Sequence, residues 1–304
     1  MSEKYIAGFI DADGHISIRC RVNSKPDLEV SMSQRADFLD PLYEAQEMFG
    51  GAIRNKFEGQ HCELQIRSGP ARKCVERLKK YLVVKRYQAE QYLGMVDAAP
   101  ILRSKEEVVS FRKDVKSVRR VESLPVQNYP TRKWMAGYID GDGSFGVKVC
   151  KKTGYAYPTL SILSADNYTA GILLLKKAFG GRICRTGTSY LWQLQLSQPS
   201  KSKQVLGYFT KYLEKKQDVA RFLYECAKNG NFRDGEAIRN IVKTLNSQQH
   251  RLSDSTATVK ESISTINFGI VKKKVGRPVG VIETRPRRKR QSKLQEYVVC
   301  RKTD

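Results

Sequence analysis

A ten-residue string that occurs twice constrains this chain more than any other feature. Tyr5-Ile6-Ala7-Gly8-Phe9-Ile10-Asp11-Ala12-Asp13-Gly14 recurs as Trp134-Met135-Ala136-Gly137-Tyr138-Ile139-Asp140-Gly141-Asp142-Gly143, an offset of 129 residues. Two later landmarks repeat in step. Met48-Phe49-Gly50-Gly51-Ala52-Ile53 returns as Ala178-Phe179-Gly180-Gly181-Arg182-Ile183, and Lys80-Tyr81-Leu82-Val83-Val84-Lys85 as Lys211-Tyr212-Leu213-Glu214-Lys215-Lys216, at offsets of 130 and 131. A period of that size is a domain, so the chain is a tandem duplication and not a solenoid. Its 304 residues leave room for two units that each bury a core.

Within each unit the pattern reads helix, two strands, helix, two strands, helices. His15 to Arg21, Cys62 to Arg67 and Trp192 to Leu196 alternate polar and apolar with period two, as half-buried strands do. Phe38 to Phe49 has helical spacing and ends at a Gly-Gly stop. Such strands form an antiparallel sheet with one face on helices and one free. The division expected is a first domain over 1–115, a charged linker with Pro125 and Pro130 over 116–132, and a second domain over 133–265. A basic, Pro-containing tail over 266–304 follows, with Lys272 to Lys274, Gly276-Arg277-Pro278 and Arg285 to Arg290.

The net charge is +24, from 55 Lys and Arg against 31 Asp and Glu, which calls for a large polyanion and favours nucleic acid over a membrane surface. No apolar run of about 18 residues could span a bilayer, and the first motif begins at Tyr5, so a soluble intracellular protein without a signal or transit segment is expected. Seven scattered cysteines with no Cys-x-x-Cys spacing argue against a disulfide framework or a zinc site and read as reduced, half-buried thiols. His15, His61 and His250 are too dispersed for a zinc or His-rich nuclease centre.

The repeated helix carries small residues one turn apart, Gly8 and Ala12 in one copy and Gly137 and Gly141 in the other. Interior glycines cost a helix about 1 kcal/mol each relative to Ala, so close pairing of two such helices is the expected reason for them. Asp at a helix C-terminus opposes the macrodipole. Carboxylates meeting there about a two-fold axis need a proton or a hard cation, and Mg²⁺ suits a site completed by phosphate and water. Residues two apart on a helix differ by about 200°, so Asp11 and Asp13 cannot share one role. A calcium loop is excluded, because a strand follows Gly14 where further ligands would be needed.

At these residues the sequence resembles the LAGLIDADG homing endonucleases of the single-chain, two-motif kind, over about residues 4–265. The resemblance implies an α+β fold of two αββαββα units about a pseudo two-fold axis, with the motif helices as interface and two antiparallel sheets forming a saddle over the DNA major groove. It implies that Asp13 and Asp142 bind Mg²⁺, with Mn²⁺ or Ca²⁺ able to substitute for binding, while Asp11 and Asp140 serve the helix interface or cap. It implies catalytic roles for Lys85 and Lys216 beside the metals, and for Gln34 in holding water. Ser164 stands in the place of Gln34 in the second unit, so that role is expected on one side only. The activity implied is hydrolysis of both DNA strands across the minor groove, leaving 3′ overhangs, by a monomer.

Counting by twos from Asp13 puts Ser17, Arg19 and Arg21 on the groove side, with Arg54, Lys56, Gln65 and Arg67 on later strands. Lys148, Arg182, Gln193 and Gln195 are their counterparts in the second unit. The two sets differ, so an asymmetric double-stranded DNA target is expected. The tail suits a minor groove, a phosphate clamp or nuclear targeting. Two further readings use the same scaffold: an RNA maturase acting on an intron RNA, and a catalytically dead DNA-binding regulator. The compartments suggested are a nucleoid, an organelle matrix or a nucleus.

Overall fold

The computed structural model describes residues 1–36, 38–56, 60–118, 130–165 and 169–248; the basic tail, His250 and Cys300 lie outside them. The first repeat runs α1 (Glu3–Asp13), β1 (Gly14–Arg19), β2 (Asp27–Arg35), α2 (Asp40–Phe49), β3 (Ala52–Lys56), β4 (His61–Arg67), α3 (Ser68–Leu78), α4 (Arg86–Ala98) and α5 (Lys105–Val118). The second runs α6 (Arg132–Asp142), β5 (Gly143–Val149), β6 (Ala156–Ala165), α7 (Ala170–Phe179), β7 (Arg182–Thr186), β8 (Ser189–Gln195), α8 (Pro199–Phe209), α9 (Gln217–Lys228) and α10 (Gly235–Gln248). The expected αββαββα order is present in both, extended in each by two helices. Helix α5 continues three residues into the segment read as linker, because Val115 and Val118 keep the apolar spacing begun at Val108.

Both sheets are antiparallel and have the same order, β1-β2-β4-β3 and β5-β6-β8-β7. Their registers correspond row by row: Ser31 lies opposite His15 and Gln65, and Ser161 opposite Ser144 and Gln193. Alternation does what the sequence predicts. Ile16, Ile18, Leu28, Val30, Met32, Leu64 and Ile66 are buried on one face, and their odd-numbered neighbours occupy the other. Strand β1 stops at Arg19, so Arg21 sits in the exposed turn beyond it and not on the strand. Gly50 and Gly180 terminate α2 and α7 with φ of 74° and 79°, a backbone region that favours glycine.

The motif helices α1 and α6 pack along one another in the core. Ser2 accepts from the Tyr5 backbone N–H at 3.4 Å and Thr131 from that of Trp134 at 3.2 Å, so each helix has a side-chain N-cap. A Cβ on Gly8 would overlap the Trp134 carbonyl oxygen, and one on Gly137 the equivalent carbonyl of Tyr5. One turn on, a Cβ on Gly141 would overlap the Cβ of Ala12, so the axis has room for one methyl there and not two. The expected small-residue interface is therefore present, with backbone against backbone. Gly14 and Gly143, in contrast, are extended (φ −79° and −74°); what bars a side chain at Gly14 is the Ile10 Cα, 2.5 Å from where its Cβ would be.

Of the six described cysteines, all free, Cys20, Cys62, Cys74 and Cys226 are buried outright, deeper than half-buried thiols. They behave as small apolar core residues. Among the described residues no helix is long and apolar enough to cross a membrane.

Gly8→Ala is expected to destabilise the protein by roughly 2 kcal/mol or more, through forced separation of the helices. Gly94→Ala, in α4 with nothing within 4 Å of its added methyl, should be neutral or gain up to about 1 kcal/mol. Urea midpoints of the two variants against wild type test the difference; equal midpoints would refute the close-packing argument.

Candidate metal centre and nucleic-acid face

The four motif carboxylates divide into two pairs with different surroundings. Asp11 is 3% exposed and Asp140 fully buried. Asp11 accepts from the backbone N–H groups of Val83 (2.7 Å) and Lys85 (2.8 Å) and from the Trp134 indole N–H (2.9 Å). Asp140 accepts from Glu214 N (2.7 Å), Lys215 N (3.2 Å), Lys216 N (2.9 Å) and the Tyr5 hydroxyl (2.7 Å). Each helix thus holds the other's inner carboxylate through its first aromatic residue. Burial pushes Asp11 above the usual carboxylate range, opposed by Lys85, the two backbone donors and Trp134. These are interface and capping positions. The sequence alone assigns no role to Tyr5 or Trp134; their shared aromatic character at the head of each motif is the signal available.

The loops that Asp11 and Asp140 anchor bring in two lysines. Lys85 Nζ donates to the carbonyls of Ile10 (2.6 Å), Asp11 (2.9 Å) and Ala12 (3.3 Å), and Lys216 Nζ to those of Ile139 (2.8 Å), Asp140 (2.6 Å) and Gly141 (3.3 Å). Neither motif helix has a basic residue in its own last turn, so each ammonium supplies the charge that the C-terminal dipole requires. Burial lowers both lysines, Lys216 to about 8, opposed first by the inner carboxylate beside each, Asp11 for Lys85 and Asp140 for Lys216, and then by Asp13 and Asp142.

Asp13 and Asp142 end the two helices and come within hydrogen-bonding contact of each other. Burial, and then the Asp13 charge, push Asp142 up to about 6, against the pull of Lys85 and Lys216. Gln34, 3% exposed at the end of β2, donates its amide to Asp13 at 3.4 Å and accepts from Lys215 Nζ at 2.9 Å. In the other half Ser164 and Val84 occupy the matching positions, so the two sides differ chemically. Among the described residues no three or more His, Cys, Asp or Glu side chains are arranged so that together they could hold a metal ion. A cation here would take two protein carboxylates and leave the rest of its shell open.

The open sheet faces carry the other predicted residues. Ser17, Arg19, Lys56, Gln65 and Arg67 are half-buried and Arg54 exposed on the first; Lys148, Arg182 and Gln195 are exposed and Gln193 half-buried on the second. The first face has an acidic complement that sequence reasoning missed. Arg19 pairs with Asp27 (2.9 Å), Arg67 with Glu29 (2.7 Å) and Lys56 with Glu63 (2.5 Å), while Arg67 also donates to Gln65 (2.8 Å) and Gln65 to Glu63. The period-two alternation of β2 would have found Asp27 and Glu29. Glu29, Arg67, Gln65, Glu63 and Lys56 form one connected chain that holds these side chains in place.

The LAGLIDADG endonuclease family matches residues 6–95 and 135–226, one match per repeat. No curated protein matches the chain. Among solved structures, the I-SmaMI LAGLIDADG homing endonuclease bound to cleaved DNA is similar at 19% identity and a TM-score of 0.60, covering 83% of this chain and 98% of its own. I-GzeII in complex with its DNA target (16%, TM-score 0.57, covering 88% and 99%) and I-AabMI bound to uncleaved DNA (18%, TM-score 0.58, covering 88% and 100%) share the fold.

The raised Asp142 fixes a pH dependence. Between 3.8, its ordinary value, and about 6, the folded protein keeps a proton that the unfolded chain has released. Metal-free stability therefore falls as pH rises through that window and stays low above it. Asp142→Asn should flatten the slope and stabilise the metal-free protein at pH 7.5 by less than about 1 kcal/mol, because the residue is exposed and solvent screens its repulsion. Denaturation midpoints at pH 4.5, 6 and 7.5 in EDTA decide the point; parallel wild-type and variant profiles would contradict it.

Proposed function

Since the chain belongs to the LAGLIDADG endonuclease family, we propose that it is a sequence-specific homing endonuclease that hydrolyses both strands of a long, asymmetric double-stranded DNA site, leaving 3′ overhangs. The observation that carries the reading is the meeting of Asp13 and Asp142 at the C-termini of two paired helices. Both residues are exposed, yet like charges brought together there repel unless a cation joins them, and a purely structural interface would gain from their removal.

The donor set fits a hard divalent ion. Two carboxylates with no thiolate or imidazole beside them suit Mg²⁺, which keeps waters and takes up substrate phosphate; Mn²⁺ and Ca²⁺ accept the same oxygen donors. When bound, such an ion polarises the scissile phosphate and lowers the pKa of the attacking water. The chain's own groups do the rest. Asp13 and Asp142 would hold the cation, and Gln34 orients the Asp13 carboxylate and is placed to hold water on that side. Lys85 and Lys216 fix the helix ends and set positive charge beside the carboxylates, where it offsets charge built up on phosphate. The open sheet faces read the major groove, and the excess of Lys and Arg supplies sequence-independent attraction to the backbone. Their unlike residues suit two unlike half-sites read by a monomer.

Incubation of a randomised duplex library with the full-length protein and Mg²⁺ is expected to yield cut ends at one enriched site. Asp13→Asn and Asp142→Asn should each slow cleavage on the order of 100-fold or more while retaining affinity for that site in Ca²⁺. Specific binding with no cleavage in Mg²⁺ or Mn²⁺ would sink the enzyme reading and favour the regulator; preference for a structured intron RNA over every duplex would favour the maturase.

A further inference from the structure

The two open faces match in register and differ sharply in one row. Next to the row of Ser31 and Gln65, the first sheet aligns Ser33, Glu63 and Arg54. At the equivalent place the second sheet aligns Leu163, Leu191 and Cys184. Leu163 is 55% exposed, Leu191 half-exposed and Cys184 exposed. Their strand neighbours Ile162 and Trp192 are buried on the opposite face, so the row is not misplaced core. It is an apolar strip on a face otherwise polar, left in contact with water.

The adjoining row consists of Ser144, Ser161, Gln193 and Arg182, with Arg182 donating to Gln193 at 2.8 Å. Guanidinium and amide groups suit purine edges, so the apolar strip continues a surface equipped for bases. In the major groove only pyrimidine C5-methyl groups offer an apolar contact to such a strip, and thymine is the base that ordinarily carries one. Resting on the DNA reading above, we infer that Leu163 and Leu191, with Cys184 at the strip's edge, determine specificity by packing on thymine methyls in the half-site of the second repeat, where the first repeat uses hydrogen bonds.

Deoxyuridine removes the methyl and keeps every hydrogen bond. Each thymine of the selected site is replaced singly by deoxyuridine, and binding in Ca²⁺ is measured for wild type and for the Leu163→Ala, Leu191→Ala double variant. Wild type should lose about fourfold in affinity per contacted methyl, at positions confined to one half-site. The double variant should bind thymine and deoxyuridine equally at those positions and keep wild-type sensitivity elsewhere. Leu163→Met, which retains an apolar tip, should restore the discrimination and shows that a loss is not misfolding. A flat wild-type scan in both half-sites overturns the inference, as does an unchanged scan in the double variant. A shift in sedimentation caused by the alanines overturns it in favour of contact between two copies of the chain. Failure to find any specific duplex would instead bring down the DNA reading beneath it.

Discussion

Everything at the centre of this protein follows from the approach of two helix backbones at Gly8 and Gly137. Each glycine sits against the carbonyl of the residue that begins the other motif, Trp134 or Tyr5, at a separation that no side chain permits. Close approach aligns the helices so that both C-termini, and the aspartates on them, arrive at one place. It also buries the inner carboxylates Asp11 and Asp140, which cannot remain there without donors. Those donors are the backbone of the loops at 83–85 and 214–216, plus one aromatic group from the opposite helix. Anchored in this way, the loops deliver Lys85 and Lys216 to the helix ends. One steric condition thus propagates to helix, carboxylate, loop and lysine in turn.

Duplication makes the frame symmetric, and divergence has made the site unequal. Gln34 with Lys215 on one side stands opposite Ser164 with Val84 on the other, and Ala12 opposite Gly141. The Ala12–Gly141 difference lies in the helix interface itself, where there is room for one methyl, while the reciprocal contacts of Gly8 and Gly137 are the same on both sides. The sheets diverge in the same manner, with an ion-paired first face and a partly apolar second one on identical strand order. A symmetric skeleton carrying two unlike surfaces is what recognition of an asymmetric duplex requires.

The positive charge of the chain is not spread evenly over the face proposed to meet DNA. Three of its basic groups on the first sheet, Arg19, Lys56 and Arg67, are already paired with carboxylates. Pairing of this kind limits non-specific attraction and holds donors in fixed directions, so under the proposed function affinity from bulk charge and selectivity from placed groups would come from separate sets of residues.

The sequence by itself determined the duplication, the order of helices and strands, the buried and open sheet faces, the small-residue stripe and the two aspartate pairs. All of these are written in local periods and spacings, which is why they were legible. Only the tertiary structure decided that Tyr5 donates to Asp140 and Trp134 to Asp11, partners 135 and 123 residues apart. It decided likewise that Lys85 and Lys216 cap the very helices that end in Asp13 and Asp142, and that Glu29 and Glu63 lie beside the arginine and lysine they restrain. The physical reason is common to these cases. A side chain's role depends on which donors and acceptors face it, and those come from segments brought together by packing; a local pattern gives the face a residue lies on and not the partner it meets there.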